Sequence, residues 1–425
     1  MTIAVFLGSL MGAMAVGMPI AFALMICAIA LMWHMGVFDT QIVAQNMIVG
    51  ADNFPLLAIP FFLLAGEFMN AGGLSRRIVN FALAWIGHRH GGLGYVAIIA
   101  SVIMASLSGS AAADTAALAA ILIPMMREGG YNVPRSAGLI ASGGIIAPVI
   151  PPSIGFILFG VAANVSISRL FLAGIVPGLL MGLALAVAWW IVARHDNVKP
   201  FPRQTMRERL RTSADAFWAL LMPVWILGGI RFGIFTPTEA AVVAAVYAFL
   251  VGAFIYRELK FSEVYALFLN AAKTTAVVMF LVAAAVVSAW LITSANIPAE
   301  IGGLIQPFMD NPLILMFVMM ALVLVVGTAL DFAPTVLILT PVLMPIVKQA
   351  GIDPVYFGVL FILNNAIGLI TPPVGIVLNV VCGVGRISMT DVIRGVHPFL
   401  LAQVGVLILL ILFPQIVLVP LEFLR

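Results

Sequence analysis

The chain has 425 residues, of which 63% are hydrophobic and only 9% charged, with a net charge of +3. That composition, with a mean hydropathy of +1.19, excludes an ordinary soluble domain and reads as an all-α integral membrane protein. The small positive balance does not make a nucleic-acid footprint, so the basic residues serve as topological markers.

Residues 2–16 and 19–34 read as two helices joined at Gly17-Met18-Pro19. No charge and no cleavage signal behind a basic segment occurs there, so this start reads as membrane helix and not as a leader. Cys27, like the later Cys382, sits in an apolar run and reads as a packing residue. A polar segment with Asp39 and Asp52 precedes a helix over 55–72, closed by Arg76 and Arg77, either of which could pair with Glu67. Residues 78–90 look amphipathic and end in His88-Arg89-His90.

Residues 92–126 hold the first unusual stretch. Two apolar runs flank Ser106-Leu107-Ser108-Gly109-Ser110-Ala111-Ala112-Ala113-Asp114-Thr115, and each is too short to cross a core of about 30 Å as a helix. Bare polar groups in hydrocarbon cost several kcal/mol each, so the stretch predicts a re-entrant hairpin with a polar tip buried in protein. A spanning helix over 134–165 follows, broken at Ala147-Pro148-Val149-Ile150-Pro151-Pro152, where consecutive prolines remove backbone donors. A helix over 170–193 then leads to a strongly basic loop, 194–216, placed in the cytoplasm.

The second half repeats this plan. Helices at 217–231 and 237–256 are followed by a surface segment at 262–272, a span at 274–294 and an outer amphipathic arm at 297–311. A second hairpin over 312–347 has its tip at Gly327-Thr328-Ala329-Leu330-Asp331. A second broken helix over 355–384 contains Gly368-Leu369-Ile370-Thr371-Pro372-Pro373-Val374, and 397–420 is the last span. Thr115 and Thr335 are displaced by 220, and Pro151-Pro152 and Pro372-Pro373 by 221, so the chain is a duplication. Residues 1–193 form one repeat and 217–425 the other. The crossings leave only Arg169, Arg231, Lys348 and Arg425 of the 20 basic residues outside, which makes the repeat inverted, with one hairpin entering from each face.

Several polar residues have structural readings: Glu239 completes a capping box with Thr236, and Lys273 snorkels to the inner surface. Asp114 and Asp331 differ, because each lies at a hairpin tip, where a carboxylate is costly and marks a functional site. The helix breaks free backbone carbonyls, and Ser108, Ser110, Thr328 and Thr371 add hydroxyls. Such oxygen cages suit hard monovalent cations, and half-helix N-termini attract anions, so the chemistry indicated is cation-coupled transport of an organic anion. An intramembrane protease would need a base near the serines, yet no His is close to them in sequence and no HExxH occurs. A channel fits paired hairpins less well.

The runs SLSGSAAADTAA, IASGGIIAPVIPPSIGFILFG, APTVLILTPVLMP and IGLITPPVG closely resemble the large membrane subunit, DctM type, of tripartite ATP-independent periplasmic (TRAP) transporters. The resemblance runs from end to end. It implies an elevator-type transporter fold in the bacterial inner membrane, driven by sodium and without other cofactors. It implies a separate small four-helix membrane subunit of the DctQ type and a periplasmic substrate-binding protein of the DctP type. Carried over by position, the first sodium site resembles Ser108, Ser110, Ala147, Ile150 and Pro152, and the second Asp331, Gly368, Thr371 and Val374. Asp114 and Ser166 match positions near the ion and substrate pocket. The implied substrates are small organic acids, either sugar acids such as sialic acid or C4-dicarboxylates, with a lean to sugar acids.

Overall fold

The computed structural model describes residues 2–194, 198, 200–297, 308–309 and 311–424. Every regular element among them is helical, and eight helices are long and apolar enough to cross a bilayer. Helices α1 (Thr2–Ala15) and α2 (Ile20–Met35) pack together. The stretch expected to be a polar connection holds a further helix, α3 (Thr40–Ala51), because the Asp39 carboxylate accepts the Gln41 N–H at 2.8 Å and caps it. After α4 (Ala58–Ala71), α5 (Leu74–Ile86) is the amphipathic arm: Leu74, Ile78, Val79 and Ala82 are buried while Arg76 is exposed. Arg76 and Arg77 make no ion pair with Glu67. Both bind Glu258 at 2.8 Å, and Arg77 also reaches Asp215 at 3.4 Å and lies over the Tyr256 ring at 3.8 Å.

The first hairpin is α6 (Gly92–Ser108) and α7 (Ala111–Glu128); the first broken helix is α8 (Val133–Gly144) and α9 (Ile154–Ala163), followed by α10 (Ile167–Ala193). The basic connection is shorter than 194–216. Helix α11 (Met206–Arg231) begins inside it, since Thr205 and Glu208 form a capping box, with Thr205 N donating to Glu208 Oε2 at 2.7 Å. Helix α12 (Pro237–Leu250) starts with the expected box at Thr236 and Glu239. Helix α13 (Phe261–Ser294) is one continuous 34-residue helix instead of a surface segment and a span, since no Pro or Gly interrupts it. The arm expected at 297–311 lies almost wholly outside the described residues. The second hairpin is α14 (Pro312–Ala329) and α15 (Phe332–Gln349), and the second broken helix is α16 (Pro354–Gly368) and α17 (Ile376–Gly385). Helices α18 (Met389–Leu412) and α19 (Gln415–Leu424) close the fold.

The two broken helices run antiparallel. Arg127, just before the first, donates to the Gly385 carbonyl at the end of the second at 3.0 Å. Arg169, just past the first, lies 3.9 Å from Asp353, which caps the start of the second. The hairpins therefore enter from opposite sides, and the repeat is inverted. Basic side chains collect on the Arg127 side, where Arg135 donates to Val192 O at 3.0 Å and His90 meets Ala193 O at 3.1 Å.

Packing separates a frame from a block. Helix α4 packs on both α12 and α13, with α1, α2, α3, α5 and α11 around them, while hairpins and broken helices pack mainly together. Helices α10 and α18, expected in the frame, belong to the block: α18 lies along α8, and α10 packs on α6 and α16. The α8–α18 crossing depends on Gly138 and Gly395. A Cβ on either would run into the other helix's backbone. Gly395→Leu is expected to cost more than about 3 kcal/mol and abolish the monodisperse peak in detergent gel filtration. Gly405→Leu, with no atom within 4 Å of the added Cβ, should elute normally.

Candidate functional site

Each hairpin tip meets a helix break, and glycines permit the approach. At the first tip Gly109 takes the left-handed conformation (φ 63°), which lets α6 turn into α7. A Cβ there would lie 2.6 Å from the Pro152 carbonyl, so the tip rests on the break itself. Ser110 caps α7 by accepting the Ala113 N–H, satisfying one orphan donor of the returning helix. Its own N–H donates to Ser108 Oγ at 3.1 Å, and Ser108 Oγ donates to Asp114 Oδ1 at 2.5 Å. Asp114 is buried, and its second oxygen has no partner among the described residues.

The break between α8 and α9 is a run of turns containing a cis Pro151–Pro152 bond. Ser153 stabilises it by donating to Pro148 O at 2.5 Å and accepting the Phe156 N–H at 3.2 Å. The carbonyls of Ala147, Ile150 and Pro152 accept no hydrogen bond from described residues. The structure thus brings Ser108, Ser110 and Pro152 to one tip and leaves the three carbonyls of the expected first site available. Ser166 is not among them. It caps α10 exposed beside Arg169, and α9 separates it from the break by about 15 Å at 1.5 Å per residue.

At the second tip Gly327 and Gly368 pack together, and a Cβ on Gly368 would lie 2.7 Å from the Gly327 carbonyl. Asp331 caps α15 through the Phe332 N–H at 2.6 Å, and its backbone carbonyl accepts both the N–H and the hydroxyl of Thr335. Gly368 O already accepts the Thr371 N–H at 3.1 Å, Val374 O accepts from Asn379 Nδ2 at 3.0 Å, and Thr371 Oγ1 donates to Ile367 O at 2.8 Å. Each carbonyl keeps a second lone pair for a ligand. The two tips differ in access: Ser108 and Asp114 are buried, whereas Asp331, Pro373 and Val374 are exposed. They are also neighbours, because Phe332 lies against Gly155 of α9, where a Cβ would meet its ring at 2.7 Å.

Sequence reasoning missed the amides behind the second break. Asn364 donates to Met320 O at 2.6 Å and Asn365 to Phe332 O at 2.8 Å, both fully buried. Adjacent amides in an apolar helix are costly, and that cost was the available signal. Gly66 of α4 was also missed; it lets the frame touch Ser108, at 3.4 Å from an added Cβ. Gly109→Val combines a β-branched residue at positive φ with a collision at Pro152, a cost of about 2 kcal/mol or more. It should open the tip without unfolding the frame, read as faster alkylation of a cysteine placed at Ala111 with elution unchanged.

The chain matches the family described as "Tripartite ATP-independent periplasmic transporter, DctM component" over residues 7–416. It is 55% identical to the 2,3-diketo-L-gulonate TRAP transporter large permease protein YiaN of Escherichia coli, over the whole of both chains. It is 40% identical to the sialic acid TRAP transporter large permease protein SiaM of Vibrio cholerae, over 95% of each chain. A further 40% relative, the C4-dicarboxylate TRAP transporter large permease protein DctM of Pseudomonas aeruginosa, is matched over 86% of each. The fold is similar to the crystal structure of the Alcanivorax borkumensis YdaH transporter, with TM-score 0.62 at 16% identity over 88% of this chain and 87% of that one. With hairpin tips set against broken helices and this match along nearly its whole length, the chain belongs to the TRAP transporter large permease family: it is a multi-pass transporter subunit of the bacterial inner membrane, and not an enzyme.

Proposed function

We propose that this subunit carries out sodium-coupled uptake of a small organic acid received from a periplasmic binding protein. The observation that carries the reading is the set of break carbonyls at Ala147, Ile150 and Pro152, which accept no hydrogen bond from described residues, with the tip that bears Ser108 and Ser110 resting on Pro152. Neutral oxygens in a protein-enclosed site favour a hard monovalent cation, whose charge then attracts a carboxylate to the space between the tips. The second set, at Asp331, Gly368, Thr371 and Val374, takes another sodium ion. Asp114 and Asp331 are offset by three positions in the repeat register, so they act as unequal contributors and not as a duplicated proton relay.

A sugar acid is the favoured substrate class, because the names of the 55% identical relative and of the Vibrio cholerae relative both give one. A C4-dicarboxylate is the second reading, favoured by the name of the Pseudomonas aeruginosa relative. The partners are a separate small four-helix subunit of the DctQ type and a soluble DctP-type binding protein. Movement is of the elevator kind, with the block of hairpins and broken helices sliding against the frame. In the present arrangement tip one is docked on Gly66 of α4 while tip two is open, which corresponds to access from the side by which the second hairpin enters.

Uptake is tested in liposomes holding both membrane subunits, with the binding protein outside and labelled sialic acid, 2,3-diketogulonate and succinate as probes. A sodium gradient alone should drive full uptake and a proton gradient alone none; the reverse result sinks the coupling assignment. Ser108→Ala and Thr371→Ala should each raise the half-saturating sodium concentration on the order of tenfold. Omitting the binding protein should reduce uptake to background, and saturable uptake by this chain alone would contradict the three-part reading.

A further inference from the structure

The Asn365 side chain is fixed by its own hydrogen bond. Its nitrogen donates to the Phe332 carbonyl at 2.8 Å, so the amide cannot be turned over without placing oxygen against oxygen. The side-chain oxygen is therefore committed to the other side. There it is buried, at 0% exposure, and has no donor among the described residues. It faces Gly327, where an added Cβ would lie 3.1 Å away, and the Gly327 carbonyl also accepts nothing from described residues. An unpaired buried amide oxygen costs about 1–3 kcal/mol, so two oxygens without a donor, Asn365 Oδ1 against Gly327 and the Gly327 carbonyl against Gly368, call for a positive ligand.

The first half repeats the feature by other means. The position 221 before Asn365, the displacement of the double prolines, is Gly144. The space beside Gly144 that a side chain would fill is taken by Thr115 Oγ1, which is likewise buried and without a partner. Each half thus puts one unpaired oxygen at the same place, three residues ahead of Ala147 and Gly368. Packing alone gives no reason for this to occur twice.

We propose that Asn365 supplies a ligand, through its side-chain oxygen and together with the Gly327 carbonyl, to the cation held at the second tip. The same side chain grips Phe332, next to Asp331, so occupation of the site and closure of the second hairpin are coupled through one residue. This rests on the sodium reading above and extends the second site beyond Asp331, Gly368, Thr371 and Val374.

The test uses the purified full chain with its small membrane subunit in detergent, following thermal unfolding in sodium chloride titrated against choline chloride at constant ionic strength. The wild type should gain stability with sodium. Asn365→Ala should raise the half-saturating sodium concentration on the order of tenfold, in addition to whatever Tm it loses in choline with the Phe332 hydrogen bond. Asn365→Ser, which keeps a hydroxyl donor on the side chain but takes away the oxygen facing Gly327, should raise the half-saturating concentration likewise. If Asn365→Ala lowers the Tm in choline and leaves the sodium response unchanged, the residue is a packing bridge and the proposal fails. It fails equally if Asn365→Ser leaves the response unchanged, and this variant decides alone should Asn365→Ala not fold. A wild type that ignores sodium would instead overturn the coupling reading on which the proposal rests.

Discussion

The fold is governed by the rule that backbone polar groups inside a bilayer must find partners within the protein. Two helices here are broken where a continuous ladder would be cheapest, and two others turn back at mid-depth. The first interruption is buried, whereas the second leaves Asp331, Pro373 and Val374 exposed. Ser153 takes over Pro148 O, Gly109 sets the first tip on Pro152, and the Gly327–Gly368 contact seats the second. At the first break the carbonyls of Ala147, Ile150 and Pro152 stay without a donor among the described residues, and such carbonyls can be completed by a positive ligand.

Small residues make this possible and divide the molecule mechanically. Within the block, Gly138 and Gly395 bring α8 and α18 into backbone contact, and α10 lies with them. Between block and frame, Gly66 of α4 approaches Ser108 at the first tip, and α13 packs along α15 of the second hairpin. Backbone-to-backbone contact at Gly138 and Gly395 holds the block helices together. The arm α5 is held on the frame side by the Arg76 and Arg77 pairs with Glu258, so it braces the first hairpin without being part of it.

Much of this architecture was legible in the sequence because the costs involved are large. Ser106 to Thr115 and the double prolines could not occur in ordinary spanning helices, and the displacement of 220 or 221 fixed their repetition. Capping at Thr236 and Glu239 was equally readable. The identical signal at Thr205 and Glu208 was hidden inside a run read for its charge, which is why α11 starts earlier than expected. Assignment of α10 and α18 to the block could not be read, since it depends on which helices Gly138 and Gly395 bring together across 257 positions. Asn364 and Asn365 lay in a stretch already singled out, but their roles depend on which carbonyl each nitrogen faces. Ser166 lies a helix length from the break because α9 stands between them, a distance set by helix geometry and not by nearness in sequence.

The crossing of α8 with α18 also sets a problem of timing for the ribosome and the insertion machinery. Helix α9 has 10 residues and at about 15 Å spans only half the hydrocarbon layer, so it cannot partition into lipid as an independent segment. Its companion α8 buries Gly138 on a helix that does not exist until Gly395 has been synthesised. At bacterial elongation rates that delay is roughly 10–50 s, during which an unfinished broken helix must be sheltered. Early arrival of the frame helices, or the presence of the translocation channel itself, has to supply that shelter. Truncated or stalled chains ending before α18 should accordingly be the quality-control substrates of this protein, whatever the strength of their individual spans.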